Sequence, residues 1–459
     1  MEAVRGPFAE FSGGLYDLPA VTIEVADARG YIARSTERYD VIQASLIDTW
    51  AAGGSGAFAL SENSLYTREA FHTYYEHLTD RGIMSVSRWY QPERPAETMR
   101  LVSTAMAGWQ AAGVTDPRQH VVVIARLTSG AATEGLATAL FKRTPFTPEE
   151  VLMLKARATE LGGTLLYGPG QPAFEPVGEF ILNPDWEAFM ATYPLDISPA
   201  TDDRPFFFNL VRLGDLFDAA LSRSWVYRVS MEAIYILGAV IAVTTALSVL
   251  VVLVPLSFGA RKNRQLARPS ARLLGYFALL GVSFMVVEIP IIQKLTVYLG
   301  RPVYSLAIVL FTILLFSSFG SLWSSRWSEK QTQRNLRWVF PVIALLAVLH
   351  AGTALWPLPQ TMGLSFGLRL VITMVLLAPL ALLMGIPFPS GVRWAGAHRS
   401  GVIPWLWGIN GVMSVLGSAL ATALAIHLGF RVTLLIAAGL YALAGVLIRG
   451  EMGVQQSQG

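Results

Sequence analysis

Carboxylates, a serine and a lysine stand where this chain could do chemistry. The stretch Tyr39–Trp50, YDVIQASLIDTW, is an apolar run that ends in Ser45, with Asp48 three residues later. Strand-then-carboxylate is how many α/β enzymes build a site floor, where a carboxylate can take a proton or hold an ammonium group. A serine acts as a nucleophile or base only beside an activating partner, and no histidine lies close to Ser45 in sequence. Asp27 follows a second apolar run, Ala20–Ala26 (AVTIEVA), and suits either ligand contact or a helix N-cap. Glu288 lies within a long apolar segment, where a carboxylate is costly unless neutral or paired. It can face a bundle interior, snorkel to the interface, or pair with Lys294, and Pro290 is expected to break the helix beside it. Asn410, among Gly408, Gly411 and Gly417, can join two helices or line a polar site.

These residues need elements to position them, and composition splits the elements into two classes. The 459 residues are 53% hydrophobic and 15% charged, with a mean hydropathy of +0.46, too apolar for a soluble globule. Residues 1–230 hold 28 acidic and 19 basic side chains; residues 231–459 hold 4 and 16, and the overall net charge is +3. The basic excess lies between apolar runs, which argues for cationic loops of a membrane domain and against nucleic-acid binding. Cysteine is absent, so disulfides and thiolate chemistry are excluded, and the six histidines show no metal-ligand spacing.

Seven apolar segments approach spanning length: Ile234–Leu256, Leu273–Ile292, Val303–Trp323, Trp338–Leu355, Leu370–Pro387, Val402–Leu428 and Val432–Ile448. Upstream, strands are expected at Ala20–Ala26, Tyr39–Ser45, Ile83–Trp89, His120–Leu127 and Gly135–Lys142. Helices are expected at Tyr66–Leu78, Glu97–Ala112 and Thr147–Leu161, the last opening on TPEE with proline in the first turn. The alternation predicts an α/β domain with a mostly parallel, doubly wound sheet over residues 1–210. A juxtamembrane linker (211–232), an all-α bundle of about seven helices (233–450) and a polar tail (451–459) follow. In such sheets ligands sit at the carboxyl ends of strands, where Asp27 and the Ser45–Asp48 corner fall.

The order VADARGYIARSTERYDVIQASLIDTW, then LYTREAFHTYYEHLTDRGIMSVSRW, resembles the core of the spermidine synthase family, a branch of the class I S-adenosylmethionine-dependent methyltransferase fold. With PATDDRPFFFN, FMVVEIPIIQKL, LLMGIPFPSG and WGINGVMSVLGS, the chain is similar to bacterial membrane proteins that fuse such a domain to helical segments. The resemblance implies a partial Rossmann-like domain and S-adenosylmethionine or its decarboxylated form as cofactor. It also implies a polyamine or other small amine as substrate, no metal, and a multi-pass protein of the bacterial inner membrane. It places Asp27 at the adenine amino group and Asp48 at the ammonium groups of the amine. The family's general-base carboxylate falls on Ser45, and Thr49 replaces a proline. The glycine-rich cofactor turn should lie upstream of FAEFSGGLYDLPAVTIEV, so an N-terminally truncated domain is expected; a missing half or a second copy would complete it.

Two further functions compete with transfer of an aminopropyl or methyl group: a transporter with Glu288 in its pathway, and a non-catalytic membrane scaffold. For the bundle's charges, TDDRPFFF is expected as a juxtamembrane hinge in which Asp202 and Asp203 pair with Arg204. The loops after segments one, three and five hold five, four and two basic residues; those after two, four and six hold one arginine each, with Lys294 near the end of segment two. Basic loops mark the cytoplasmic side. Seven crossings would therefore put residues 1–230 outside, away from the compartment of a cofactor-using transferase.

Overall fold

The computed structural model describes residues 2–47, 62–127, 135–212, 214, 225–255, 258, 269–300, 302–352, 361, 363–398 and 400–456. Helix α1 (Ala28–Arg34) leads into strand β1 (Tyr39–Ser45), and α2 (Arg68–Glu76) crosses to β2 (Leu78–Tyr90). Helix α3 (Ala96–Ala111) precedes the hairpin of β3 (Val121–Leu127) and β4 (Gly135–Lys142), and α4 (Pro148–Glu160) precedes β5 (Thr164–Tyr167). The sheet order is β1-β2-β4-β3-β5. Only β1 and β2 pair in parallel; the other three pairings are antiparallel.

The sheet is thus mixed rather than mostly parallel. Seven residues separate β3 from β4, too few for the crossover of a dozen or more that parallel neighbours require, so these strands fold back as a hairpin. Residues 20–26 form no ladder, because an apolar run becomes a strand only where a neighbour takes its N–H and C=O groups. Start signals are better obeyed. Thr147 and Glu150 close a reciprocal capping box at α4, with Pro148 in the first turn.

Helix α3 is buried along most of its length against the sheet; Met99, Val102 and Ala105 are fully covered. Phe206, Phe207 and Phe208 are buried too, with Tyr66 and Phe207 ring centroids 4.9 Å apart. This core continues through Met231 and Ile234 into the first membrane helix, so the α/β domain and the bundle share apolar contacts.

Among the described residues six helices are long and apolar enough to cross a membrane. They are α5 (Trp225–Ser248, spanning from Met231 to Val252), α6 (Ala271–Leu299), α7 (Pro302–Ser325), α8 (Glu329–Ala351), α9 (Phe366–Met384, continued by α10, Pro387–His398) and α11 (Ile403–Gln456). Helix α11 is two helices joined at Gly429, whose φ of 82° and ψ of 166° are not helical. Asn410 lies against Phe277, and Gly450 lies beside Arg272, both near the start of α6. The chain therefore runs out along α6, turns at Gly429 and returns, so α11 is a helical hairpin packed on α6. The polar tail is helical as far as Gln456. Pro290 lies inside α6 without ending it, as packing neighbours permit in membrane helices. By contrast the expected break at GIPFPSG is present: α9 stops at Met384 and α10 starts at Pro387.

Candidate functional site

Ser45 ends β1 opposite Ser87 of β2, which in turn faces Thr138 of β4. Its Oγ accepts from Gln43 Nε2 at 3.2 Å and donates to Ser87 Oγ at 3.3 Å; Ser87 and Thr138 hydroxyls lie 2.8 Å apart. A row of neutral hydroxyls crosses three strands, and no carboxylate or imidazole is bonded to Ser45 among the described residues. Such a row positions polar ligands but withdraws no proton near neutral pH. Asp27 is used locally: its Oδ1 accepts from Gly30 N at 2.7 Å and caps α1. No hydrogen bond links Asp27 to Ser45 among the described residues, and Asp48 lies outside them.

Immediately behind this strand end is a buried ion pair that sequence reading missed. Arg88 Nε donates to Glu97 Oε1 at 2.6 Å, and both side chains are almost fully covered. The guanidinium also sits 4.8 Å from the Phe208 ring centroid. Alternation along β2 signals a buried position at 88, but its charge gives no hint of a partner in the first turn of α3.

The TDDRPFFF segment is the seam between domain and bundle, and its pairings differ from the expected ones. Asp202 takes a two-pronged bond from Arg29, 2.6 Å for each, and a third from Thr67 Oγ1 at 2.7 Å. Arg204 pairs with Asp196 at 2.8 Å. Asp203 reaches the membrane hairpin: its carbonyl accepts from Phe430 N at 2.8 Å and its Oδ1 from Arg431 N at 2.7 Å. It thereby caps the returning arm of α11, where free N–H groups and the helix dipole favour a carboxylate. Arg29, Asp202 and the hairpin are far apart in sequence, so local spacing could not reveal them.

A second contact across the seam titrates. Glu62 is partly buried beside Gln293 of α6, and burial raises its pKa to about 7 while a hydrogen bond from Gln293 opposes the rise. A carboxyl with a folded value above its unfolded one stabilises the fold below the unfolded value, near 4.5, and loses that contribution as pH rises toward 7. Thermal stability in detergent should therefore fall between about pH 5 and 7. Glu62→Gln should flatten that fall; an unchanged profile would remove Glu62 as its source.

Within the bundle the three singled-out polar residues do different things. Asn410 Nδ2 donates to Phe277 O at 3.1 Å, and a Cβ on Gly281 would come within 2.4 Å of Asn410 O, so this is close helix–helix packing. Lys294 Nζ donates to the carbonyls of His350 and Gly352 at 2.9 and 3.2 Å, at the end of α8. Glu288 is 8% exposed and makes no hydrogen bond or ion pair among the described residues. The two charges are not joined.

Comparison of the chain with protein-family models, with curated proteins and with solved structures gives no match.

The bundle has two distinct ends. At one end His398 meets Glu329 at 3.2 Å and Arg393 donates to Ser324 O, joining the ends of α10 and α7 to the start of α8. Among the described residues Arg272, Arg326, Lys330 and Arg393 lie at or near this end. At the other end lie Tyr298, the Gly429 turn and the α/β domain, held by Asp203 and Glu62.

Proposed function

We propose that this chain is a multi-pass protein of a bacterial-type inner membrane whose spermidine synthase-like α/β domain caps the extracytoplasmic end of the bundle. In this role the domain binds a small ligand and passes its occupancy to the helices, and does not run aminopropyl transfer. The observation that carries the reading is the seam: Asp203 docks the domain on the Gly429 turn, at the end of the bundle away from the contacts of His398 and Arg393. The surroundings of Ser45 support it. An attacking amine is mostly protonated near neutral pH and needs a base, worth about 10²–10⁴-fold in rate, and no carboxylate or imidazole is bonded to Ser45 among the described residues.

The expected result is that the purified chain forms no spermidine from putrescine and decarboxylated S-adenosylmethionine. Calorimetry should also give no micromolar affinity for methylthioadenosine. Product formation, or tight nucleoside binding, would restore the transferase reading.

A further inference from the structure

Between the domain and the membrane hairpin lies a cavity of about 230 Å³. Its described lining has an unusual balance: Arg100, Arg204 and Arg212 face a single carboxylate, Asp196. That carboxylate is already engaged, accepting from Ser198 Oγ and N on one oxygen and from Arg204 on the other. Each arginine has five N–H donors. Arg100 spends three bonds on the carbonyls of Ser198, Phe207 and Asn209 and pairs with Asp196 at 3.7 Å, Arg204 spends two on Asp196 and Ser198, and Arg212 two on the carbonyls of Tyr193 and Met190, so the reserve lies with Arg204 and Arg212. The cavity therefore keeps a cationic surplus with donors in reserve.

A second, independent observation points to a ligand. Asn209 is 7% exposed and lines the cavity, and its Oδ1 is buried without a hydrogen-bond partner among the described residues. An unpartnered buried acceptor is costly, about 1–3 kcal/mol, and calls for a donor. The rest of the lining is Phe206, Val211, His427, Ile426 and Leu428. The last two belong to the end of the outgoing α11 arm, next to the Gly429 turn, at the level where the hairpin leaves the membrane.

We propose that this cavity is a binding site for a phosphate group that carries a neighbouring hydroxyl. The arginines take the phosphate, and Asn209 accepts from the hydroxyl. The ligand is either the headgroup of a phosphatidylglycerol-like lipid or a free phosphate ester of the same chemistry. The proposal shares with the functional reading only the docking of the domain on the hairpin, and it stands whether or not the domain transfers groups.

The test is calorimetry on the full chain in dodecyl maltoside with dioctanoyl-phosphatidylglycerol and, separately, glycerol 3-phosphate. Dioctanoyl-phosphatidylcholine, whose headgroup has no donor, is the control. Binding of either hydroxylated probe, at least about tenfold tighter than the control, is expected; the tighter of the two names the source. Leu428→Trp, at a half-exposed position, should fill the cavity, and Asn209→Leu should remove the acceptor. Each should weaken binding by about tenfold or more while the protein stays monodisperse on size exclusion. Indifference of the protein to both probes, or binding unchanged in both variants, would overturn the proposal.

Discussion

Glu97→Ala is expected to destabilise the α/β domain by about 3–5 kcal/mol, the typical cost of removing one partner from a buried ion pair. The arginine left behind is the reason. Arg88 is fully covered, and the truncation removes the carboxylate that receives its Nε at 2.6 Å. Its stacking on Phe208 and Tyr66 offers only a small compensation. Replacing the pair together, Arg88→Met with Glu97→Leu, should cost far less, because no charge is then stranded. Both are read from the domain's unfolding transition followed by tryptophan fluorescence, since Trp109 is buried in the same core. Equal losses in the single and double variants would show that packing, not charge, holds that corner.

Gly429→Ala should be the most damaging change in the membrane half. The φ and ψ of Gly429 lie in a region open essentially only to glycine, so a side chain there costs about 1–3 kcal/mol in backbone strain alone. A Cβ would also come within 2.5 Å of Asp203 Oδ2. Relief means moving Asp203, which releases its caps on Phe430 and Arg431 and costs about 0.5–2 kcal/mol more. The expected outcome is a lower thermal midpoint together with faster proteolysis at the seam. Asp203→Asn, which keeps an acceptor oxygen, should show a weaker form of the same behaviour. A Gly429→Ala protein as stable and as protease-resistant as the parent would mean that the hairpin and the domain are not coupled through this turn.

Elements whose signals are local were legible in the sequence. The capping residues of α4, the alternating strands β3 and β4 and the long apolar segments all announce themselves within a dozen residues. Strand direction does not: periodicity marks Val121–Leu127 and Gly135–Lys142 as strands, but the short connection between them decides that they pair antiparallel. The apolar segments themselves were legible because apolar length is a property of each segment by itself; six helices long and apolar enough to span are described where seven segments were expected, the last two lying in one helix bent at Gly429. Site chemistry was legible only in part. Ser45 and Asp27 were found from strand ends, yet their partners, Ser87 and Gly30, show one as a member of a hydroxyl row and the other as a cap. Asp203, Arg204 and Asp202 were singled out together and assigned to each other; their true partners lie 228, 8 and 173 residues away in sequence. Side chains so close in sequence and so divergent in direction are sorted by the fold, which no spacing rule encodes.

The most direct test of the extracytoplasmic cap is cysteine accessibility, which the absence of native cysteine makes clean. Glu160→Cys marks the exposed end of α4 in the α/β domain, and Ser325→Cys marks the exposed end of α7 on the basic side of the bundle. In intact cells a membrane-impermeant maleimide should label Glu160→Cys and leave Ser325→Cys untouched until the membrane is opened. Protection of Glu160→Cys in intact cells would put the domain in the cytoplasm, and labelling of both positions in intact cells would put the two ends on one side; either result would contradict the account.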